Sequence, residues 1–260
     1  MTTRAFSSIR SLPKQPDGGF WPLTSLANSC TVHGDLLSFL GQDYIGKGEK
    51  RVEFPKVGLR RKWAVKAALD RRDDRRNSWG GVQMIKFPSD CFAIQALLCR
   101  CRPQVVVELG SLNGGSASFM ASFAPLAGIE AIISLDIQVL PRPSSPIVTF
   151  LTGDSSSQEM YQQVVDRVAG RTCSLLVDSD HSAAHVLKEL ELYAPLVSPG
   201  QAMIMEDTLV DVLDFKKFRQ GGGPLVAMRR YLRHHPEFET AQDVEPYLTT
   251  NFHGYLIKKG

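Results

Sequence analysis

Asp178-Ser179-Asp180-His181 and Glu206-Asp207 are the groups in this sequence most able to do chemistry. Each follows a short apolar run, Ser174-Leu175-Leu176-Val177 or Ala202-Met203-Ile204-Met205, that reads as a buried strand. If the two strands are neighbours, Asp178, Glu206 and Asp207 meet at one end of a sheet. Three carboxylates that close repel one another unless a cation compensates them. Oxygen donors without cysteine favour a hard ion, Mg²⁺ or Ca²⁺, with water completing its shell. Such an ion can lower the pKa of a bound hydroxyl, as it does that of bound water. His181, three residues beyond Asp178, is then the general base for that proton. A lone histidine is more often structural, and it is the neighbouring acids that raise the catalytic reading. His185 is assigned a supporting or surface position. The 2-His-1-carboxylate set of an iron oxygenase has no clear source.

A second constellation lies upstream. Val105-Val106-Val107-Glu108-Leu109 is a β-branched run closed by an acid, and Gly110-Ser111-Leu112-Asn113-Gly114-Gly115-Ser116 is a small-residue turn. The turn opens a helix whose free N–H groups face it, which makes a nucleotide-type βα unit. Its spacing, Glu-x-Gly-x-x-x-Gly-Gly, is not the dinucleotide G-x-G-x-x-G fingerprint. Asp136, 28 positions after Glu108, ends the next strand and can accept both hydroxyls of a ribose. Gly153-Asp154-Ser155, after a third strand, can line an adenine pocket, although this is also ordinary loop chemistry. Each acid alone would more often be a helix cap. Carboxylates at five strand ends out of five point instead to one ligand-binding edge.

The elements that must position these residues alternate regularly. Strands are expected near 104–109, 132–136, 147–151, 174–178 and 202–207, with helices between them. A helix starts at Pro88-Ser89-Asp90 and carries Phe92, Ile94, Ala96, Leu97 and Leu98. The helix His185–Tyr193 has Val186, Leu187, Leu190 and Tyr193 at core-facing spacing. Two more strands, Phe238–Ala241 and Tyr255–Lys258, close the chain. The fold class is α/β: a Rossmann-like, seven-stranded mixed sheet with helices on both faces. Residues 1–78 read as an N-terminal extension with helices near Leu23–Leu40 and Lys62–Arg72. It could serve as a lid or support a homo-oligomer. Residues 79–260 form the main domain.

The composition of the 260 residues, 43% hydrophobic and 22% charged, is that of a soluble globular protein. No apolar run approaches the roughly 20 residues of a membrane helix, and residues 1–6 lack the apolar core of a secretory signal. Five cysteines without paired spacing suggest reduced thiols in a cytoplasmic protein. Arg51–Arg76 holds ten Lys/Arg against four Asp/Glu. Without an aromatic-rich or helix-turn-helix companion, this block reads as a solvated helix rather than a nucleic-acid surface.

The glycine turn Glu108-Leu109-Gly110…Gly114-Gly115-Ser116 resembles motif I of class I S-adenosylmethionine-dependent methyltransferases. More specifically, Asp178-Ser179-Asp180-His181-Ser182, Glu206-Asp207-Thr208, Trp79…Lys86-x-Pro88-x-Asp90 and Asn251-x-x-Gly254-Tyr255-Leu256 resemble the cephalosporin hydroxylase-like family. That family includes Mg-dependent macrolide sugar O-methyltransferases. The resemblance implies S-adenosylmethionine and Mg²⁺ as cofactors and transfer of a methyl to a hydroxyl of a natural-product sugar or aglycone. It assigns Asp178, Glu206 and Asp207 to the metal and His181 to the base. On the cofactor side stand Glu108, Gly110, Ser111, Gly114, Ser116, Asp136, Asp154 and Ser155, with Asp178 serving both. Two departures are Leu209-Val210-Asp211-Val212-Leu213, where an Asn/Gly/His/Pro-rich loop is expected, and Phe252 in place of a proline. The alternatives are a non-methylating enzyme on the same fold and a silent partner subunit.

Overall fold

The apolar run Val105–Leu109 is strand β3, and each of its residues is buried. The computed structural model describes residues 57–71, 76–213 and 221–260. Around β3 lie β4 (Ala131–Asp136), β5 (Val148–Thr152), β6 (Cys173–Val177) and β7 (Ala202–Met205), with β8 (Phe238–Thr240) and β9 (Tyr255–Lys258) beyond them. The order β5-β4-β3-β6-β7-β9-β8 makes one seven-stranded sheet. The first five strands are parallel, while β9 pairs antiparallel with both β7 and β8. The expected mixed sheet is therefore present, C-terminal pair included. A small hairpin, β1 (Ser78–Trp79) and β2 (Val82–Gln83), was not anticipated; Trp79 packs edge-on against Phe119, centroids 5.1 Å apart.

Period-two alternation divides the core. Val105, Val107 and Leu109 face one side with Ile133, Leu135, Leu175, Val177, Met203 and Met205. This face is covered by α4 (Gln158–Val168), α5 (Ala183–Tyr193) and α7 (Pro224–Leu232). Val106, Ile132, Leu176 and Ile204 face the other side, under α2 (Pro88–Cys101) and α3 (Gly115–Ala127). Helix α2 starts at Pro88 as expected, with Asp90 in its first turn. Its inner face is Cys91, Ile94, Leu97 and Leu98; Phe92 is 75% exposed, because the 3.6-residue period turns it away.

Helix α1 (Leu59–Asp70) matches the expected helix near Lys62–Arg72. The helix expected over Leu23–Leu40 lies outside the described residues, as do 51–56 and 72–75 of the basic block. The two departures from the family pattern meet beneath α1. Leu209 and Val210, on the short helix α6 (Leu209–Val212), pack with Phe252, Phe87 and Val65 in a separate apolar cluster. No helix among the described residues is long and apolar enough to cross a membrane.

Candidate functional site

Strand order reverses direction at β3, whose neighbours are β4 on one side and β6 on the other. Ligands of open α/β sheets bind at such a switch point, beyond the carboxyl ends of the strands. The turn after β3 sits there. Gly110 has φ +101°, and a Cβ on it would lie 1.9 Å from the carbonyl oxygen of Asp178, so only glycine fits. Gly110 and Ser111 both donate backbone N–H to the carbonyl of Leu135, at 2.8 and 2.9 Å. Gly114, also left-handed, caps α3.

Beneath the turn, Glu108 is fully buried and accepts hydrogen bonds from the Ser116 and Ser134 hydroxyls. Ser111 bonds Ser134 in turn, at 2.5 Å. Burial pushes the Glu108 carboxyl up, and Lys86 and the two serines only partly oppose it. Asp136 accepts from Leu112 N (2.7 Å) and Gln138 N (2.8 Å), one to each carboxylate oxygen. It keeps lone pairs for a ligand's hydroxyls. Asp154 turns into its own loop, accepting from Ser156 N and Oγ at 2.8 Å. Ser155 is buried against α5, bonded to Glu189 Oε1 at 2.5 Å. The structure thus gathers Glu108, Ser111, Ser116 and Asp136 about the turn, while Asp154 and Ser155 take partners elsewhere. His185 joins Ser155 and Ser179 on Glu189.

The acids form the other half. Because β6 and β7 are adjacent, Asp178 and the Glu206-Asp207 pair emerge side by side. His181 Nε2 lies 2.9 Å from Asp207 Oδ2 and 3.6 Å from Asp178 Oδ1. Donor atoms of Asp178, His181 and Asp207 lie within 4.8 Å of one another. Glu206 stands apart from this trio, drawn to Lys86 Nζ at 2.6 Å. Lys86, 4% exposed, also reaches Asp178 Oδ2 at 2.9 Å. Burial opposes its charge, but Asp178, Glu206 and Glu108 outweigh burial and raise its pKa. The ammonium therefore bridges the two strand-end acids, with the Glu108 charge beneath the turn also acting on it. Burial would raise Asp178 too, yet Lys86 and His181 hold its carboxyl below its ordinary value. Glu206 is pushed up to about 8 by burial, with Lys86 restraining it.

The donor set fits a hard divalent ion. It offers carboxylate oxygens on adjacent strand ends, and the buried Glu206 Oε1 has no hydrogen-bond partner among the described residues. Sequence reasoning placed these acids but gave no role to Lys86 or Ser134. Lys86 meets its partners 92 and 120 residues downstream, and its one signal was its place in the Trp79…Lys86-x-Pro88-x-Asp90 motif before the α2 start. Ser134 had one: a polar residue inside the apolar run Ile132-Ile133-Ser134-Leu135.

Residues 74–259 match the model of the family described as rhamnosyl O-methyltransferase/CmcI. The rhamnosyl O-methyltransferase of Mycobacterium leprae is 31% identical over 195 residues, covering 70% of this chain and 83% of that protein. Its counterpart from Mycobacterium bovis is 29% identical over 144 residues, 52% of this chain and 58% of the relative. A solved structure of CmcI with Mg and SAM aligns with a TM-score of 0.54 at 20% identity. It covers 88% of this chain and 98% of its own, a likeness of fold. With the match reaching from the β1 hairpin to the last strand, and so across both halves of the site, the chain belongs to the rhamnosyl O-methyltransferase/CmcI family.

Proposed function

We propose that this chain is a Mg²⁺-dependent O-methyltransferase that moves the methyl of S-adenosylmethionine to a hydroxyl of a small natural product, a sugar hydroxyl foremost. One observation carries the reading: the Glu108–Ser116 turn and the Asp178/His181/Asp207 cluster meet at one switch point, where the Asp178 carbonyl packs on Gly110 and Lys86 bridges Asp178 and Glu206. The names of the mycobacterial relatives support rhamnose-type acceptors, and the Mg and SAM of the CmcI structure support the cofactor pair.

Asp178 and Asp207 would hold the ion, with Glu206 beside them. Bound there, Mg²⁺ supplies Lewis acidity to an acceptor oxygen. His181 takes the hydroxyl proton, and the oxygen displaces the methyl from the sulfonium in line, leaving S-adenosylhomocysteine. The turn and Asp136 hold the donor, so much of the acceleration comes from fixing oxygen and methyl at near-attack distance. We assign this chemistry to a domain of residues 79–260, with 1–78 as an extension for a lid or homo-oligomer contacts. Secondary metabolism, antibiotic biosynthesis included, and a reducing cytoplasm belong to the same reading.

Incubation with S-adenosylmethionine, Mg²⁺ and rhamnosylated acceptors should give a product heavier by one methyl, and EDTA should abolish it. Cofactor binding without consumption across an acceptor panel would favour the non-methylating or silent alternatives. Full activity in EDTA would remove the metal.

A further inference from the structure

Asp207 has φ +51°, a left-handed backbone that side-chain-bearing residues seldom adopt, though Asp tolerates it better than most. This conformation sits where the chain leaves the sheet. Glu206 N still bonds the Val177 carbonyl in the β6–β7 register, at 2.9 Å, and at the next residue the chain turns aside. Something must hold that turn.

The holder is the connection between β8 and β9. Its residues grip the 205–209 segment at four points. Gly254 O accepts from Met205 N (2.7 Å), and Thr250 O from Leu209 N (2.9 Å). Phe252 O accepts from the Thr208 hydroxyl at 2.8 Å. Asn251 Oδ1 accepts from Asp207 N at 2.9 Å. Gly254 permits the approach, since a Cβ there would stand 2.1 Å from the Met205 carbonyl oxygen. Three of these acceptors are main chain. Only Asn251 contributes a side chain, and it binds the left-handed residue itself.

Asn251 is itself fixed. It is fully buried, its N donates to Thr249 Oγ1 (2.8 Å), and the Thr250 hydroxyl donates to its Oδ1 (3.0 Å). The buried carboxylate of Asp90, at the start of α2, anchors these neighbours. It accepts from Thr249 Oγ1, from Thr250 N (2.9 Å) and from Tyr255 Oη (2.7 Å). A neutral amide suits position 251, because a carboxylate would add buried negative charge beside Asp90.

We propose that Asn251 is a positioning residue for the metal site, its amide oxygen holding Asp207 in the left-handed turn that presents the Asp207 carboxylate to His181 and Asp178. The inference rests on the metal reading above. Partners that orient ligands without touching the metal are worth roughly 10- to 100-fold in affinity.

The test is Mn²⁺ binding to the full chain, followed by electron paramagnetic resonance well below the unfolding temperature, with S-adenosylhomocysteine affinity measured alongside. Asn251→Ala should weaken Mn²⁺ by roughly tenfold or more while leaving S-adenosylhomocysteine affinity, measured without metal, within about twofold. Asn251→Asp, which keeps the acceptor but buries a charge beside Asp90, should retain more of the Mn²⁺ affinity than Asn251→Ala at a lower melting temperature. Ser174→Ala deletes buried hydrogen bonds to Gln201 Oε1 and from Ala202 N, away from Asn251; it should lower the melting temperature and spare Mn²⁺. Should Asn251→Ala not fold, Asn251→Ser carries the same test, its hydroxyl being too short to reach Asp207. Mn²⁺ affinity unchanged in the folded Asn251 variant overturns the proposal. A wild type that binds no Mn²⁺ overturns the metal reading, and this inference with it.

Discussion

His181 is held between two carboxylates, and its protonation follows from them. Burial disfavours its charge, but hydrogen bonds to Asp178 and Asp207, and then their charges, raise its pKa from 6.5 to about 10. A raised imidazole pKa stabilises the folded state fully below the unfolded value, and the gain is lost as pH climbs through the folded value. The ion-free protein should therefore lose melting temperature between pH 7 and 10, and His181→Gln should flatten that slope; equal slopes would remove His181 as the cause. A divalent ion must displace this proton, so Mg²⁺ binding near pH 7.5 should release about one proton, read by calorimetry in buffers of different ionisation enthalpy. His181→Ala should slow turnover by roughly 10²–10⁴ with cofactor affinity retained; wild-type turnover by that variant sinks the base assignment. Lys86→Met leaves the buried Glu206 and the partly exposed Asp178 without their cation. Denaturant unfolding should register a loss of about 3–5 kcal/mol, as for other broken buried pairs, and Mg²⁺ should restore part of it.

At the scale of elements, the parallel strands were legible because β-branched and apolar runs at regular spacing leave few topologies. The acids were legible because such sheets bring chemistry to one edge. What was not legible came from contacts across long sequence separations. Asn251 to Asp207 spans 44 residues, and Arg61 to Glu245 spans 184. No local periodicity encodes either. The two departures from the family pattern looked unrelated in sequence, yet Leu209, Val210 and Phe252 fill one cluster against Val65 of α1. Arg61 closes it. The side chain bonds Glu245 Oε1 and Pro246 O at 2.6 Å and Tyr247 O at 2.7 Å, and its guanidinium lies 4.7 Å from the Phe252 ring centroid. Arg61→Ala should cost about 1–3 kcal/mol, and α1 amides should exchange ahead of the sheet. Unchanged protection from Ala64 to Leu69 would mean that the apolar cluster alone docks the helix.

For the whole molecule, the two halves of the site are not independent. Asp178 is common to both: its carbonyl oxygen packs on Gly110 of the turn, and its carboxylate faces His181 and Lys86. Lys86 in turn feels Glu108 beneath the turn as well as Glu206 beside the acids. A ligand that orders the turn therefore works on the same Asp178 that a metal must use, and coupling of this kind is reciprocal. S-adenosylhomocysteine at saturation should tighten Mg²⁺ binding by some factor, and saturating Mg²⁺ should tighten S-adenosylhomocysteine by that same factor. About fivefold or more would lie in the usual range for linked sites. Each ligand alone at 100 times its dissociation constant adds about 2.7 kcal/mol to stability, so coupling appears as a joint shift larger than the sum of the separate ones. Lys86→Met should reduce the coupling factor even where both ligands still bind, because the cation that fixes the Asp178 carboxylate is gone. Strict additivity in the wild type, measured by paired titrations, would mean that the turn and the acids share an edge of the sheet without sharing free energy.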